Sequence, residues 1–505
     1  MNKINKNKEL EFRSAPGEVR RLTPLDQAMR CGHVARAAFN FVGAEYCFKQ
    51  IAEIFPRETG PLLQWLGVAV LLGDDEVVNY LVKRLEKLKI KPAELLPSLA
   101  EYALQEGDSA AALEHIRRLL LLSPTNDQAG FLLAQTYKAL GENRQAVEAY
   151  DRLIERSPHH AQPYYQRGLI LKTDLTERQK QQLDCALAAV NEDDLHASAW
   201  LNLAKAWSLQ GEVEEEFNYL DRVKLRYAAQ FQFNSNFFDE RFRAPVAYCT
   251  SARLREAAAL SVGSDEPIFI AAMGRSGTTL VEAILGAHKD FVAAGERNVI
   301  QTAVDRVGHG FNKCGSVWEW GYSVPLDKLM HGTQGYISKH NAIKRASGKR
   351  WIDKSLDNVT YMGLAKMIYP RAKFIHVKRN PMAVCLSNYQ HHMGYGSTVP
   401  FSLEQLAYKY RAIERAIEHW QTLFGDDILV LEYESLVADF VGTVQKLVGF
   451  LGADWDEACL RFNEQKNVVL TPSTMAVRSP VNAEAEKKWM KYEKHLQPVA
   501  KVLNL

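Results

Sequence analysis

The chain has 505 residues, 47% of them hydrophobic and 24% charged, with 62 Lys and Arg against 60 Asp and Glu. That is a globular composition, roughly two to four domains long, and not a disordered one. The near-zero net charge of +2 excludes a polycation that coats nucleic acid, but leaves room for a local basic pocket.

Residues 1–24 form a polar N-terminal segment without the apolar core of a signal peptide. The longest nearly apolar stretch, residues 62–73, is too short to span a bilayer and contains Gln64. Seven cysteines are scattered without a CxxC pair, a usage that fits reduced thiols. Together these features predict a soluble, cytoplasmic protein with no membrane partner.

From residue 25 the sequence repeats. Unit starts at 25, 59, 93, 127 and 161 are spaced by 34 residues, and the next start at 197 follows after 36. In the unit from 127, Ala134, Tyr137, Ala146, Tyr150 and Pro158 fall at the small, aromatic, small, aromatic and Pro positions of a helix pair. The small residues let two helices cross closely, and the aromatics fill the groove between them. Gly73, Gly107, Gly141 and Gly211 recur at one repeat position, where the turn needs a residue tolerant of positive φ. The unit at 161 departs from the pattern after Leu171, and the unit at 25 matches only in its second half. Residues 25–230 therefore resemble a tetratricopeptide-repeat (TPR) solenoid. Such solenoids take a peptide or protein on the concave face. The alternative is that this one forms a homodimer or braces the second half of the chain. The Tyr164–Tyr165 pair reads as core packing.

Residues 231–262 break the repeat and read as a connector: an aromatic, irregular stretch followed by a short helical one, SARLREAAAL. From 263 to 505, short β-rich runs alternate with helices, the grammar of an α/β domain with a parallel sheet.

The most informative stretch is PIFIAAMGRSGTTLVEAIL. An apolar strand, a Gly-rich polar turn and a helix build an anion site from backbone N–H groups. Gly274 and Gly277 let the backbone approach a ligand, and Arg275 adds a forked charged donor. Ser276, Thr278 and Thr279 add hydroxyls. A Walker A loop is excluded, because Ala272 stands at its first Gly and Thr278 at its Lys. This weakens a kinase or NTPase reading. A second candidate grip lies in KFIHVKRNPMAVCLSNYQ, where a strand ends at Arg379, Pro381 opens a helix, and Ser387 lies two turns along.

These two segments resemble the sulfotransferases that use PAPS (3′-phosphoadenosine 5′-phosphosulfate). Over roughly residues 263–495 the order of motifs is most similar to the tyrosylprotein sulfotransferase-like branch. The resemblance implies an N-terminal all-α TPR solenoid followed by a C-terminal α/β, P-loop-like sulfotransferase domain with a central parallel sheet. It implies PAPS as co-substrate, PAP as product, and no metal. By the same resemblance, residues 275–279, including Gly277, hold the 5′-phosphosulfate, and Arg379 and Ser387 hold the 3′-phosphate. Tyr433, Arg478 and Lys488 are further nucleotide contacts. Glu296, after Gly295, is the general base. Arg275 and Lys354 supply positive charge, and Ser473 stabilises the transferring group. Two positions depart from the family: His391 stands where a basic residue is usual, and Ser479 where a Lys is, with Arg478 one position earlier. His288 has a counterpart in this branch and reads as structural. The His159–His160 and His391–His392 pairs lack metal-ligand spacing.

The expected function is transfer of a sulfuryl group to an acceptor hydroxyl, foremost protein or peptide tyrosine. The alternatives are a carbohydrate or small-molecule acceptor, or a TPR scaffold with a non-catalytic nucleotide-binding domain. Loops such as 301–345 and 391–403 shape the acceptor side and do not choose among these.

Overall fold

The computed structural model describes residues 10–15, 18–22, 25–37, 40–231, 233–234, 236–260, 266–311, 313, 316–340, 348–391, 399–464, 476–478 and 487–505. Within the polar N-terminal segment, β1 (Leu10–Ala15) and β2 (Glu18–Leu22) pair as an antiparallel hairpin, Leu10 opposite Leu22. The Pro16–Gly17 dipeptide between them is a turn signal that the overall polarity obscures.

The repeat register appears as helix pairs. First helices are α1 (Leu25–Ala37), α3 (Thr59–Leu72), α5 (Pro92–Gln105), α7 (Asp127–Leu140), α9 (Ala161–Leu171) and α11 (Leu195–Ser208). Second helices are α2 (Phe41–Ile54), α4 (Asp75–Lys87), α6 (Ser109–Leu122), α8 (Asn143–Arg156), α10 (Glu177–Ala189) and α12 (Val213–Gln230). Gly73 and Gly141 close α3 and α7 in the left-handed region, at φ 65° and 79°. The fifth unit has Leu175 at that position, and α9 stops early at Lys172, itself left-handed at φ 52°. Tyr164 and Tyr165 are buried, as core packing requires.

The connector is more regular than its sequence suggests. Its irregular-looking aromatic stretch contains α13 (Phe237–Tyr248), followed by α14 (Ser251–Leu260). Pro245 sits inside α13 and reads as a breaker. Burial of Phe238, Phe242, Pro245 and Tyr248 on one packed face outweighs it.

The second half holds a five-stranded parallel sheet among the described residues. Its strands are β3 (Ile268–Ala271), β4 (Phe291–Gly295), β5 (Arg350–Asp353), β6 (Lys373–Lys378) and β7 (Ile428–Glu432), in the order β4-β5-β3-β6-β7. Both faces are covered, so the strands read as continuous apolar runs. Phe269, Trp351 and Phe374 face one core, and Ile268, Ile270, Ile352 and Ile375 the other. The chain leaves β3 to one side for β4 and β5, then to the other for β6 and β7. That makes the carboxyl end of β3 a topological switch point, where open α/β sheets bind ligands. On one side of the sheet are α15 (Thr278–Gly286) and the helix Phe440–Phe450. The other side packs against the helices Asn358–Ile368 and Leu403–Phe424. After β4 come α16 (Val299–Gly310), α17 (Val317–Trp320) and α18 (Leu326–Ile337). Among the described residues, no helix is long and apolar enough to cross a membrane.

The two halves share one hydrophobic core, which runs from Ile154 and Tyr165 through Trp207 and Leu220 to Tyr389, Trp420 and Leu496. Helix α12 adds a buried polar seam. Glu216 accepts from Gln390 at 2.7 Å and from the Tyr492 hydroxyl at 2.6 Å, and Lys224 Nζ donates to the His391 carbonyl at 3.0 Å. The bracing role raised by the sequence is therefore visible in the packing. Burial pushes Lys224 down to about 8.

Candidate active site

All five strands end on the same side of the sheet, and a candidate residue follows each of them. Arg275 follows β3, Glu296 follows β4, Lys354 follows β5, Arg379 follows β6 and Tyr433 follows β7. This is what a parallel sheet does: residues far apart in sequence converge because their strands run in register.

The Gly-rich turn contains two left-handed residues, Arg275 at φ 73° and Gly277 at φ 105°. A positive φ at Arg275 is costly for an L-residue and is held by its surroundings. Its Nε donates to Ser387 Oγ at 3.0 Å, and its carbonyl accepts from Arg379 Nη1 at 3.1 Å. Asn388 Nδ2 donates to the Gly274 carbonyl at 2.8 Å. Ser276, Thr278 and Thr279 are buried in the turn and the first residues of α15. A Cβ on Gly277 would lie 2.5 Å from the Tyr433 ring, so the close approach itself requires glycine.

Arg379 stacks over Tyr433, its Cζ 4.3 Å from the ring centroid. The adjoining Glu434 accepts from the Asn380 N–H at 2.8 Å and fixes the start of the helix Pro381–Tyr389. Arg379 Nε is buried with no hydrogen-bond partner among the described residues. Arg275 is half-buried, and desolvation pushes it down to about 10.

On the other side of β3, Lys354 is 1% exposed and Glu296 is 36% exposed by side chain. Lys354 Nζ donates to Glu296 Oε1 at 2.6 Å and lies 3.7 Å from Glu282 Oε2. Burial opposes the charge on Lys354, but the carboxylates of Glu282 and Glu296 overcome it and hold its pKa above the ordinary value. Glu282 is held above its usual range by burial, against the pull of Lys354. It also accepts from the Gly295 N–H at 2.9 Å, which fixes the turn before Glu296. These side chains open into a cleft of about 1190 Å³ between the solenoid and the sheet. Asn298, just before α16, and Gln301, Thr302 and Asp305 along it line the cleft, and Leu71, Leu72 and Leu104 line it from the solenoid.

The structure brings Arg275, Ser387, Arg379 and Tyr433 together in one cluster, and Lys354 with Glu296 in another. Both clusters lie at the carboxyl end of the sheet, on either side of β3. Arg478 lines the cleft, and its Nη2 donates to the Ala139 carbonyl at the end of α7, 2.9 Å away. Lys488 is exposed, close enough to Lys172 to lower that lysine's pKa. Ser473, Ser479 and His392 lie outside the described residues. His391 is buried and donates through Nδ1 to the Ser387 carbonyl at 2.6 Å. Burial, then the charge of Arg275, holds its pKa well below the ordinary value, so it is neutral near pH 7. His288 is buried, with Nε2 on the Asp454 carbonyl at 2.8 Å and Nδ1 accepting from the Asp290 N–H. It acts as structural cement, as its sequence context suggests.

Two residues escape a sequence reading. Glu282 lies mid-helix and resembles any surface acid. Lys172 sits in the solenoid, half-buried, and its pKa is lowered by burial and then by Lys488 and Arg275. No motif marks it; its early helix end and left-handed φ are the only local signs.

The fold and site define a P-loop-like α/β domain with a Gly-rich turn at its switch point, joined to a TPR solenoid. Residues 267–457 match the family model described as "Sulfotransferase family", and residues 103–169 match "Tetratricopeptide repeat". The chain thus carries a sulfotransferase-family domain behind TPR units. It is 27% identical over 384 residues to an uncharacterized protein of Aquifex aeolicus, covering 74% of this chain and 49% of that one. It is 25% identical over 232 residues to the protein-tyrosine sulfotransferase of Drosophila melanogaster, covering 44% and 46%. The chain spans about half the length of these two relatives. Among solved structures it is similar to the sulfotransferase domain of the Synechococcus PCC 7002 olefin synthase, at 21% identity and a TM-score of 0.34, covering 47% of this chain and 96% of that one.

Proposed function

We propose that the protein is a PAPS-dependent sulfotransferase acting on an acceptor hydroxyl, with protein or peptide tyrosine as the acceptor. The observation that carries this reading is the junction of two anion grips from distant parts of the chain, Arg275 on Ser387 and Arg379 on Arg275. The unpartnered Arg379 Nε is a donor that a phosphate oxygen would satisfy, so the residues present suit a doubly phosphorylated nucleotide.

When bound, PAPS supplies the activated sulfuryl group and leaves as PAP. Residues 275–279 hold its 5′ end, and Arg379 and Ser387 its 3′-phosphate. Tyr433, Arg478 and Lys488 complete the nucleotide contacts. Lys354 places a buried positive charge where negative charge grows on the leaving oxygen. Glu296 takes the proton from the acceptor hydroxyl, and its partial exposure to the cleft leaves it within reach of one. Tyrosine, with pKa about 10, suits a carboxylate base only where nearby cations favour the phenolate, a field that Lys354 and Arg275 supply. Ser473 stabilises the transferring group.

The tyrosine assignment draws on the similarity to the Drosophila enzyme. A carbohydrate acceptor is the second reading, favoured by the polar stripe Asn298, Gln301, Thr302 and Asp305 along the cleft. The buried free thiols Cys47, Cys249, Cys385 and Cys459 accord with a cytoplasmic location.

Radiolabelled PAPS offered with tyrosyl peptides, glycans and phenols tests the proposal. Label should move to a tyrosyl peptide, and Glu296→Gln should slow transfer by about 10²–10⁴-fold. Transfer only to a glycan would replace the acceptor. Equal transfer by both proteins would remove Glu296 as base. PAP binding without transfer to any acceptor would leave a nucleotide-binding scaffold.

A further inference from the structure

The turn that carries Glu296 is held between two left-handed residues, Gly295 at φ 78° and Asn298 at φ 48°. The catalytic domain holds its backbone at both ends. The Gly295 carbonyl accepts from the Lys354 N–H at 3.1 Å, and the Asn298 N–H donates to Ser355 Oγ at 2.7 Å. Between those two anchors the turn has only Glu296 and Arg297.

Arg297 turns away from its own domain. Its guanidinium donates to the backbone carbonyl of Gln105 and reaches Glu106 Oε1 at 3.3 Å and Gln105 Oε1 at 3.4 Å. Gln105 is the last residue of α5, so the cation meets the negative end of a solenoid helix. The Arg297 and Glu106 side chains are 11% and 9% exposed, a largely desolvated pair. Further along α16, Arg306 pairs with Glu45 of α2 at 2.9 Å and with Asp74 at the start of α4. The base turn and the helix after it are thus docked on three repeats at once.

We propose that Arg297 and the Gln105–Glu106 turn are positioning elements for Glu296, so that the third repeat is a working part of the active site. This rests on the assignment of Glu296 as general base. Proton transfer requires the base within hydrogen-bond reach of the acceptor, and displacement by about 1 Å costs about 10²-fold. The catalytic domain ties the ends of this turn and the Glu296 carboxylate, through Lys354, and Arg297 adds a tie from the residue next to the base to the solenoid. The solenoid therefore sets turnover as well as forming a wall of the cleft.

The test uses the full-length protein with Glu106→Gln and Arg297→Met, each made in the natural and the Glu296→Gln backgrounds. Transfer from PAPS to a tyrosyl peptide and to p-cresol, PAP affinity, and hydrogen exchange at residues 295–298 are measured. Each substitution should lower kcat about tenfold or more, leave PAP affinity within about twofold, and speed exchange at 295–298 but not in β3. In the Glu296→Gln background neither should lower kcat further. A purely structural tie between domains would give equal losses in both backgrounds, and that result overturns the proposal. So does unchanged exchange in Glu106→Gln, or a loss confined to Arg297→Met, which would mean that Arg297 acts on the substrate directly. If Glu296→Gln alone leaves kcat unchanged, the base assignment fails and this proposal with it. The other outcomes remove the proposal and leave that assignment standing.

Discussion

Arg306 offers the sharpest test of how the solenoid is joined to the catalytic domain. Its side chain is 13% exposed, between Glu45 at 14% and Asp74 at 18%, with the guanidinium 5.4 Å from the Tyr336 ring centroid. Arg306→Met keeps the apolar stem and removes the charge, leaving two buried carboxylates facing each other. Removing one member of a buried ion pair costs about 3–5 kcal/mol. Glu45 can relieve part of this by taking up a proton, since burial already holds its pKa above the ordinary value and Arg306 is the main counterweight. A raised folded pKa means the folded state binds more protons, so stability falls as pH rises above the unfolded value of about 4.5. The loss in Arg306→Met should therefore be about 3 kcal/mol at pH 8 and shrink towards pH 5. Urea unfolding of the full chain reads it as a lower midpoint at unchanged slope. The triple variant Glu45→Gln, Asp74→Asn, Arg306→Met should recover most of the loss at pH 8, because no charge is left unpaired. An unchanged midpoint for Arg306→Met at pH 8, or a loss that grows towards pH 5, would refute the reasoning.

Gly277→Ala should weaken PAP binding about thirtyfold, read by calorimetry. The left-handed φ costs about 1–2 kcal/mol, and the new Cβ must push Tyr433 from beneath Arg379, losing a cation–π contact worth about 0.5–1 kcal/mol. Asp305, on the cleft stripe, is pushed up to about 7 by burial. The folded state thus holds a proton that the unfolded chain releases near pH 4, and stability falls as pH rises from about 4 to 7. Asp305→Asn should raise stability by about 2 kcal/mol at pH 8, allowing for its partial exposure, and by nothing near pH 4. Thermal melts at the two pH values check this.

Much of the fold is written in local signals. Repeating glycines and small residues marked the helix pairs, because a crossing of two helices tolerates few substitutes at those points. The Gly-rich turn and the segment around Arg379 were legible because strand, turn and helix follow each other within a few residues. Other features depend on tertiary neighbours. Pro245 suggests a break, yet α13 forms because its aromatic face is buried. Arg297 and Arg306 look like ordinary surface arginines until the first is seen on the end of α5 and the second on α2 and the start of α4. Glu282 and Lys172 carry no motif, since their surroundings come from residues far away in sequence. Arg478 also donates to the Ala139 carbonyl of the solenoid, a tie that no motif marks.

The central claim is that residues at the ends of β3 and β6 form one site for a doubly phosphorylated nucleotide. Calorimetric titration of PAP into the natural protein and Arg379→Ala tests it most directly. The account predicts one site per chain, weakened about 10–100-fold in the variant by loss of charge-assisted hydrogen bonds worth about 1.5–3 kcal/mol. No binding of PAP to the natural protein, or equal affinity in both, would contradict it.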